Sequence, residues 1–402
     1  MDERYSLTRG HIGKALIRFA LPFLLSSFLQ ALYGAVDLFV VGQFANSAAV
    51  SAVAIGSQVM QTITGIILGI SMGGTVLIGR CIGERNEQHA AKAVGTLAVL
   101  FIILAVILTP VMLLCTDASV AVMATPAEAV AFTRQYILIC ACGIPFIIGY
   151  NAVSGIFRGV GDAKTPVYFI MLACIVNVAG DFLLTGLLGM GAAGAAVATV
   201  AAQAISFLAS LLYLSKKGLA FPFSKKDLRI DGASLRAILK VGIPIALQDA
   251  LVNVSFLVIT AIINTMGLIA SAAVGVVEKI IVFAMLPPNA CASAVATATA
   301  QNVGAGREDR ARASLRWGIG LSLIFGVAFC IYAQFFPQTL ASIFTNDTAV
   351  MKAAGEYLHF YSIDCILVSF VFCMNTYFSR ICTALISFIH SMIATFGVRI
   401  PM

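Results

Sequence analysis

Charge is scarce in this 402-residue chain. Asp, Glu, Lys and Arg together make up 11% of it, against 60% hydrophobic residues. A soluble domain averages about 25% charged and about 45–50% apolar, so no soluble core could absorb the excess. Strict alternation of apolar and polar residues is also missing, which excludes a membrane β-barrel. Histidine is limited to four scattered positions. The ten cysteines sit within apolar runs or at their ends, without metal-ligand spacing. That pattern makes them small polarizable packing residues. No nucleophile–base pair or phosphate-cradling loop occurs, so nothing points to an enzyme. No small-residue cleavage site follows the first apolar run, which is therefore a retained span.

What the chain does have is apolar length. Mean hydropathy is +0.99, and runs long enough to cross a bilayer as helices recur throughout. The fold class is an all-α polytopic membrane protein. Spans are expected at 15–42, 49–79, 93–115, 130–157, 166–187, 192–215, 241–266, 271–300, 317–336, 355–379 and 382–400. With the N-terminus placed in the cytoplasm, 21 of the 25 basic residues fall on that side. They lie in the N-terminal tail and near 80–92, 158–164, 216–240, 307–316 and 380. Arg134, Lys279, Lys352 and Arg399 fall on or towards the other side. This asymmetry sets the topology. The net charge of +7 then reflects loop placement and not nucleic-acid binding. A monomer in the cell (plasma or inner) membrane is expected, with the lipid bilayer as its surroundings.

The chain repeats itself, and the second copy follows the first at a nearly constant offset. "AVAIGSQ" (52–58) lines up with "AVGVVEK" (273–279), and "IGRCIGERNEQHAAKA" (78–93) with "AQNVGAGREDRARAS" (300–314). "LP" at 21–22 matches "IP" at 243–244. Six spans in the first copy return the chain to the side where it began, so the copies are parallel repeats. The expected architecture is two lobes, 1–215 and 241–402, joined by a basic cytoplasmic linker, 216–240. A cleft between two such lobes suits a transporter better than a channel. The counterpart of the sixth span would fall near 413–436, so the last helix of the second lobe is expected to be missing. Pro22, Pro145, Pro244 and Pro287–Pro288 interrupt spans, and a proline there permits a kink.

Five carboxylates stand inside apolar runs: Asp37, Asp181, Asp249, Glu278 and Asp364. Each costs about 2.5–3.5 kcal/mol at a span centre on insertion scales, and such residues mark ion or substrate pathways. Asp37 interrupts "ALYGAVDLFVVG" (31–42). Counted from the ends of their spans at about 1.5 Å per residue, Asp37, Asp181 and Thr199 share one level, roughly 8–12 Å deep. Asn177 is four residues before Asp181 and shares its face. Gln30, Tyr33 and Asp37 form one stripe, and Tyr136 enters at similar depth. Two acids, an amide and a hydroxyl suit Na⁺, which favours oxygen ligands, or a proton. Asp249, Glu278 and Asp364 could form a second polar site in the second lobe.

At these residues the sequence resembles the multidrug and toxic compound extrusion (MATE) family. The resemblance covers nearly the whole chain. It is carried by "IGKALIRFALPFLLSSFLQALYGAVDLFVVGQF", "IGRCIGERN", "FRGVGDAKTP", "NVAGDFLL" and "QNVGAGRED" together. The resemblance implies an antiporter that exports organic cations and other toxic compounds in exchange for H⁺ or Na⁺, with no other cofactor. It implies a cation-coupling site at Asp37, Asn177, Asp181 and Thr199. Gln30, Tyr33, Tyr136 and Asn151 match the associated network or drug pocket. The second-half acids used by one Na⁺-coupled branch are absent, since Val252 and Ser369 stand at those places. A rival reading is a lipid-linked precursor flippase of related fold. It would need a strongly cationic cleft, whereas the mid-membrane charges here are mostly acidic.

Overall fold

The computed structural model describes residues 7–219, 221–264, 266–345 and 347–380, together with 389, 392 and 393. The described chain is helical from Ile12 onward, with short connections. Its helices are α1 (Ile12–Phe44), α2 (Ser47–Gly83), α3 (Glu87–Leu114), α4 (Thr116–Val122), α5 (Val130–Val160), α6 (Lys164–Asp181) and α7 (Gly191–Lys217). Then follow α8 (Gly232–Asn264), α9 (Leu268–Ala284), α10 (Leu286–Gly304), α11 (Glu308–Phe335), α12 (Pro337–Ala341) and α13 (Thr348–Arg380). Among the described residues, nine helical segments are long and apolar enough to cross a membrane. This is a multi-pass helical membrane protein. The expected span 382–400 lies almost wholly outside the described residues.

Most spans overrun the expected limits because polar residues extend the helices past the apolar core. The first runs over Ile12–Phe44 and not 15–42. The expected span 271–300 is instead two helices, α9 and α10, meeting at Met285. Pro287 and Pro288 enforce this break. Neither can donate a backbone hydrogen bond, and both fit the first turn of a new helix.

The chain divides into two compact units, one built on Leu25–Ala246 and one on Ser6–Leu24 with Leu247 onward. The division passes through the middle of α1 and of α8. In each case it falls two residues after the proline of the helix, Pro22 or Pro244.

In the first unit α2 packs along α5, α5 along α7, and α6 along α7. These contacts use small residues, which let helix backbones approach closely in a bilayer. Ser71 Oγ donates to the Asn151 carbonyl at 2.9 Å, and Thr75 Oγ1 to that of Gly155 at 3.0 Å. The first turns of α8 belong here too. Ile238 is fully buried in this core, and its carbonyl lies against Gly73 of α2. The linker is more than a solvated tether. Phe221 is buried in the same core, and the Asp227 carbonyl rests on Gly95 of α3. Thr96 Oγ1 accepts from the Asp231 amide at 3.0 Å.

In the second unit α10, α11 and α13 pack together, with α9 against α13. Ala290 through Asn302 on α10 is buried without a break and consists mainly of Ala, Ser and Thr. The start of the chain is held here. Leu7 donates its amide to Gln301 Oε1 at 3.0 Å, and its carbonyl accepts from Asn302 Nδ2 at 3.3 Å. Gly13 on α1 faces the Trp317 ring of α11.

The two turns that the repeat aligns are built alike. After α2, the amides of Glu84, Arg85 and Asn86 bond the carbonyls of Arg80, Ile82 and Cys81. After α10, the amides of Ala305, Gly306 and Arg307 bond those of Gln301, Val303 and Asn302. Each bond of the first turn recurs at the aligned position of the second. The left-handed residue is Arg85 in one turn and Gly306 in the other.

Candidate cation site

Asp37 and Asp181 meet inside the first unit. Asp37 is 4% exposed on α1, and Asp181, the last residue of α6, is 0% exposed. Their carboxyl groups lie close enough to interact electrostatically. Thr199 on α7 donates its Oγ1 proton to Asp37 Oδ2 at 3.1 Å. Asn177, 1% exposed, donates from Nδ2 to Thr199 Oγ1 at 3.4 Å. The four residues expected to form one constellation are thus brought together.

Local sequence explains the placement. Asn177 and Asp181 are one helical turn apart and share a face. Gly180 lets α6 come close to α7, because a Cβ there would stand 2.9 Å from that of Ala198. Ala198 in turn precedes Thr199. After Asp181 the helix widens into a π-helical turn, Phe182–Leu187. Such turns recur at functional sites.

The oxygens of this site are not all used by the protein. Asp37 Oδ1, Asn177 Oδ1 and both oxygens of Asp181 are buried and accept no hydrogen bond. A buried carboxylate without a partner is costly, and two adjacent carboxylates repel. A bound cation or shared proton removes both penalties, and oxygen ligands of this kind suit Na⁺. Among the described residues no group of three His, Cys, Asp or Glu side chains gathers. The unpartnered donors at the Asp37–Asp181 site are all oxygens, the ligand type that hard cations take.

Around the pair lie several neutral groups. Tyr33, one turn from Asp37, accepts a hydrogen bond from Gln203 Nε2 at 3.2 Å. The ring of Tyr136 on α5 packs against Gly56, and its hydroxyl bonds Ser57 Oγ at 3.0 Å. It remains within electrostatic range of Asp37. The sequence alone does not single out Gln203 or Ser57. Gln203 stands four residues after Thr199, and that spacing places it on the same face of α7.

The other expected residues are placed differently. Gln30 is exposed on α1. Asn151 is buried; its side-chain amide donates to the Ile147 carbonyl of its own helix at 2.8 Å, while its backbone carbonyl accepts from Ser71 of α2. In the second unit Asp249 is exposed on α8, while Glu278 on α9 and Asp364 on α13 are half-buried. Ser369 is buried and donates to the Cys365 carbonyl at 3.3 Å.

Fold and repeat together define a polytopic helical membrane transporter built from two tandem copies of one bundle. The chain belongs to the MatE family, whose profile matches it twice, over residues 22–183 and 244–402. The two matches begin at Pro22 and Pro244, the prolines that the internal repeat aligns. This is a family of transporters and not of enzymes. A probable multidrug resistance protein of Bacillus subtilis, YoeA, is 29% identical over 87% of this chain and 77% of its own length. A probable multidrug resistance protein NorM of Thermotoga maritima is 28% identical over 90% of this chain and 82% of its own. An FAD transporter of Shewanella oneidensis is 25% identical over 90% of this chain and 80% of its own. Crystal structures of MATE in the straight and bent conformations share the fold. Both have a TM-score of 0.93 at 23% identity, cover 100% of this chain, and are covered to 90% and 89%.

Proposed function

We propose that this protein is a secondary active antiporter that exports organic cations and drugs in exchange for H⁺ or Na⁺. It works as a monomer in the cell membrane, with its N-terminus in the cytoplasm. The observation that carries this reading is the set of four buried oxygens, on Asp37, Asn177 and Asp181, that accept no hydrogen bond. The names of the relatives support drug export, and the side occupied by most basic residues supports the orientation.

In this mechanism the outward-facing protein takes up the coupling cation at Asp37 and Asp181. Thr199 and Asn177 orient Asp37 to receive it. Neutralising the pair removes the repulsion that shaped α1, so that helix changes its bend near Pro22 and drug affinity falls. The drug leaves outside, and the cation leaves inside after the protein turns inward. Exchange is obligatory because both ligands bias the same two-state element.

Proteoliposomes loaded with a fluorescent organic cation test this reading under an imposed pH or Na⁺ gradient. Gradient-driven transport should appear with the native chain and vanish with Asp37→Asn. Undiminished transport by that variant would overturn the coupling site.

A further inference from the structure

Asp249 of α8 differs from the acid pair in one respect that bears on the exported compound. Asp37 and Asp181 are buried, whereas Asp249 is exposed. A proton or Na⁺ is small enough for the buried pair. An organic cation is not, and it needs a carboxylate with open space before it.

The helix itself shows on which side that space lies. Asp249 stands about 14 Å along α8 from Lys240, near the middle of a hydrocarbon layer about 30 Å thick. The inward row of α8 is Ile238, Gly242 and Ala246. Ile238 and Ala246 are buried, and Gly242 and Ala246 lie against Ile70 and Gly69 of α2. Two turns of helix from Gly242, less about 20°, lead to Asp249, which therefore continues that row. The exposed apolar row is Ile243 and Leu247. Asp249 lies about 160° round the helix from Leu247 and about 120° from Ile243, turned from the side that lipid takes. Asn253, one turn further, shares the face of Asp249 and is also exposed. A charge in a span faces water and not lipid, so this polar stripe lines an aqueous space.

The charge of Asp249 is also unanswered. Among the described residues no cationic group or hydrogen-bond donor lies against its carboxyl. A hard ion sheds its water only to several oxygens at once, and one exposed carboxylate does not supply them. A large organic cation, with its charge spread over an apolar body, makes no such demand.

We propose that Asp249 is the residue that holds the positive charge of the exported organic cation, with the Asn253 amide as a second polar contact. The inference rests on the antiport reading above and divides its two ligands. The small coupling cation goes to the buried pair, and the bulky one to the exposed acid. The ligand it fits is a lipophilic cation of single charge.

The test is equilibrium binding of two probes to the purified full chain: tetraphenylphosphonium, which is charged, and triphenylphosphine oxide, which is neutral. Asp249→Asn should weaken tetraphenylphosphonium binding by about tenfold, part of the attraction between two unit charges near a protein surface. It should leave triphenylphosphine oxide binding unchanged. Asp249→Glu should keep most of the native affinity for both. A second measurement needs no variant to fold. In the native chain tetraphenylphosphonium should shield Asp249 from carbodiimide labelling, read by peptide mass spectrometry, and triphenylphosphine oxide should not. Unchanged tetraphenylphosphonium binding in Asp249→Asn would overturn the inference, as would equal weakening of both probes or labelling that tetraphenylphosphonium leaves untouched. The antiport reading falls on a different result, gradient-driven transport that survives in Asp37→Asn.

Discussion

Thr199 and Asp37 are joined across two helices by a single hydroxyl bond of 3.1 Å, although 162 residues separate them in sequence. That bond satisfies one oxygen of Asp37 and leaves the other unpartnered. The acid is thus oriented but not neutralised. Thr199→Val keeps the shape and removes the donor. It should leave the fold intact and cost about 1–3 kcal/mol, because a buried charged acceptor loses a partner. Thermal melting in detergent checks the stability. Transport in proteoliposomes should fall in parallel.

The approach of α6 to α7 is set by Gly180. A Cβ there would stand 2.9 Å from the Cβ of Ala198. Gly180→Val should push the helices apart and separate Asn177 from Thr199, whose bond is already long at 3.4 Å. The expected cost is about 1–3 kcal/mol, the range for overpacking a tight contact. Melting temperature and dye binding should both drop. An unchanged melting temperature would contradict the packing account.

The repeated turns offer a paired experiment. Arg85 has φ 56 and Gly306 has φ 69, both left-handed. A side chain in that region costs about 1–2 kcal/mol. Gly306→Ala should therefore destabilise by about 1 kcal/mol, and Arg85→Gly should gain a similar amount. Opposite shifts in melting temperature are the expected result.

The linker holds a pH-dependent clasp. Asp231, which precedes α8 and caps it, accepts from both the amide and the hydroxyl of Ser234 at 2.9 and 2.7 Å. The Ser234 hydroxyl and then its amide hold the Asp231 carboxyl below its ordinary range. The bound form is the charged one. Its contribution is thus complete above the unfolded pKa, about 4, and is lost only as pH falls through the lowered folded value. Asp231→Ala should speed hydrogen exchange in the first turn of α8 at neutral pH. Wild-type protein should exchange at the variant's rate only well below about pH 4.

Much of this fold was legible because bilayer helices leave a strong apolar signal, and because a tandem repeat is read from letters alone. Depth counted along the spans puts Asp37, Asp181 and Thr199 at one level, and the four-residue spacing puts Asn177 on the face of Asp181; helix geometry preserves both measures. Other features depend on packing that no period encodes. The role of Asn151 turns on whether its amide faces a pocket or its own helix, and Gln203 emerges only once α1 and α7 are seen side by side. The seating of Phe221 in the core was hidden by the basic residues around it. The widening after Asp181 has no letter pattern in "FLLTGL".

The division of α1 and α8 between units has a consequence for biogenesis. The first unit reaches to Ala246, past the six spans of the first repeat and into α8. It cannot be complete when those six spans have left the ribosome; it must wait for residues up to 246. The second unit needs residues 6–24, which are made long before the rest of that unit. This early segment must therefore stay without its final neighbours through most of synthesis.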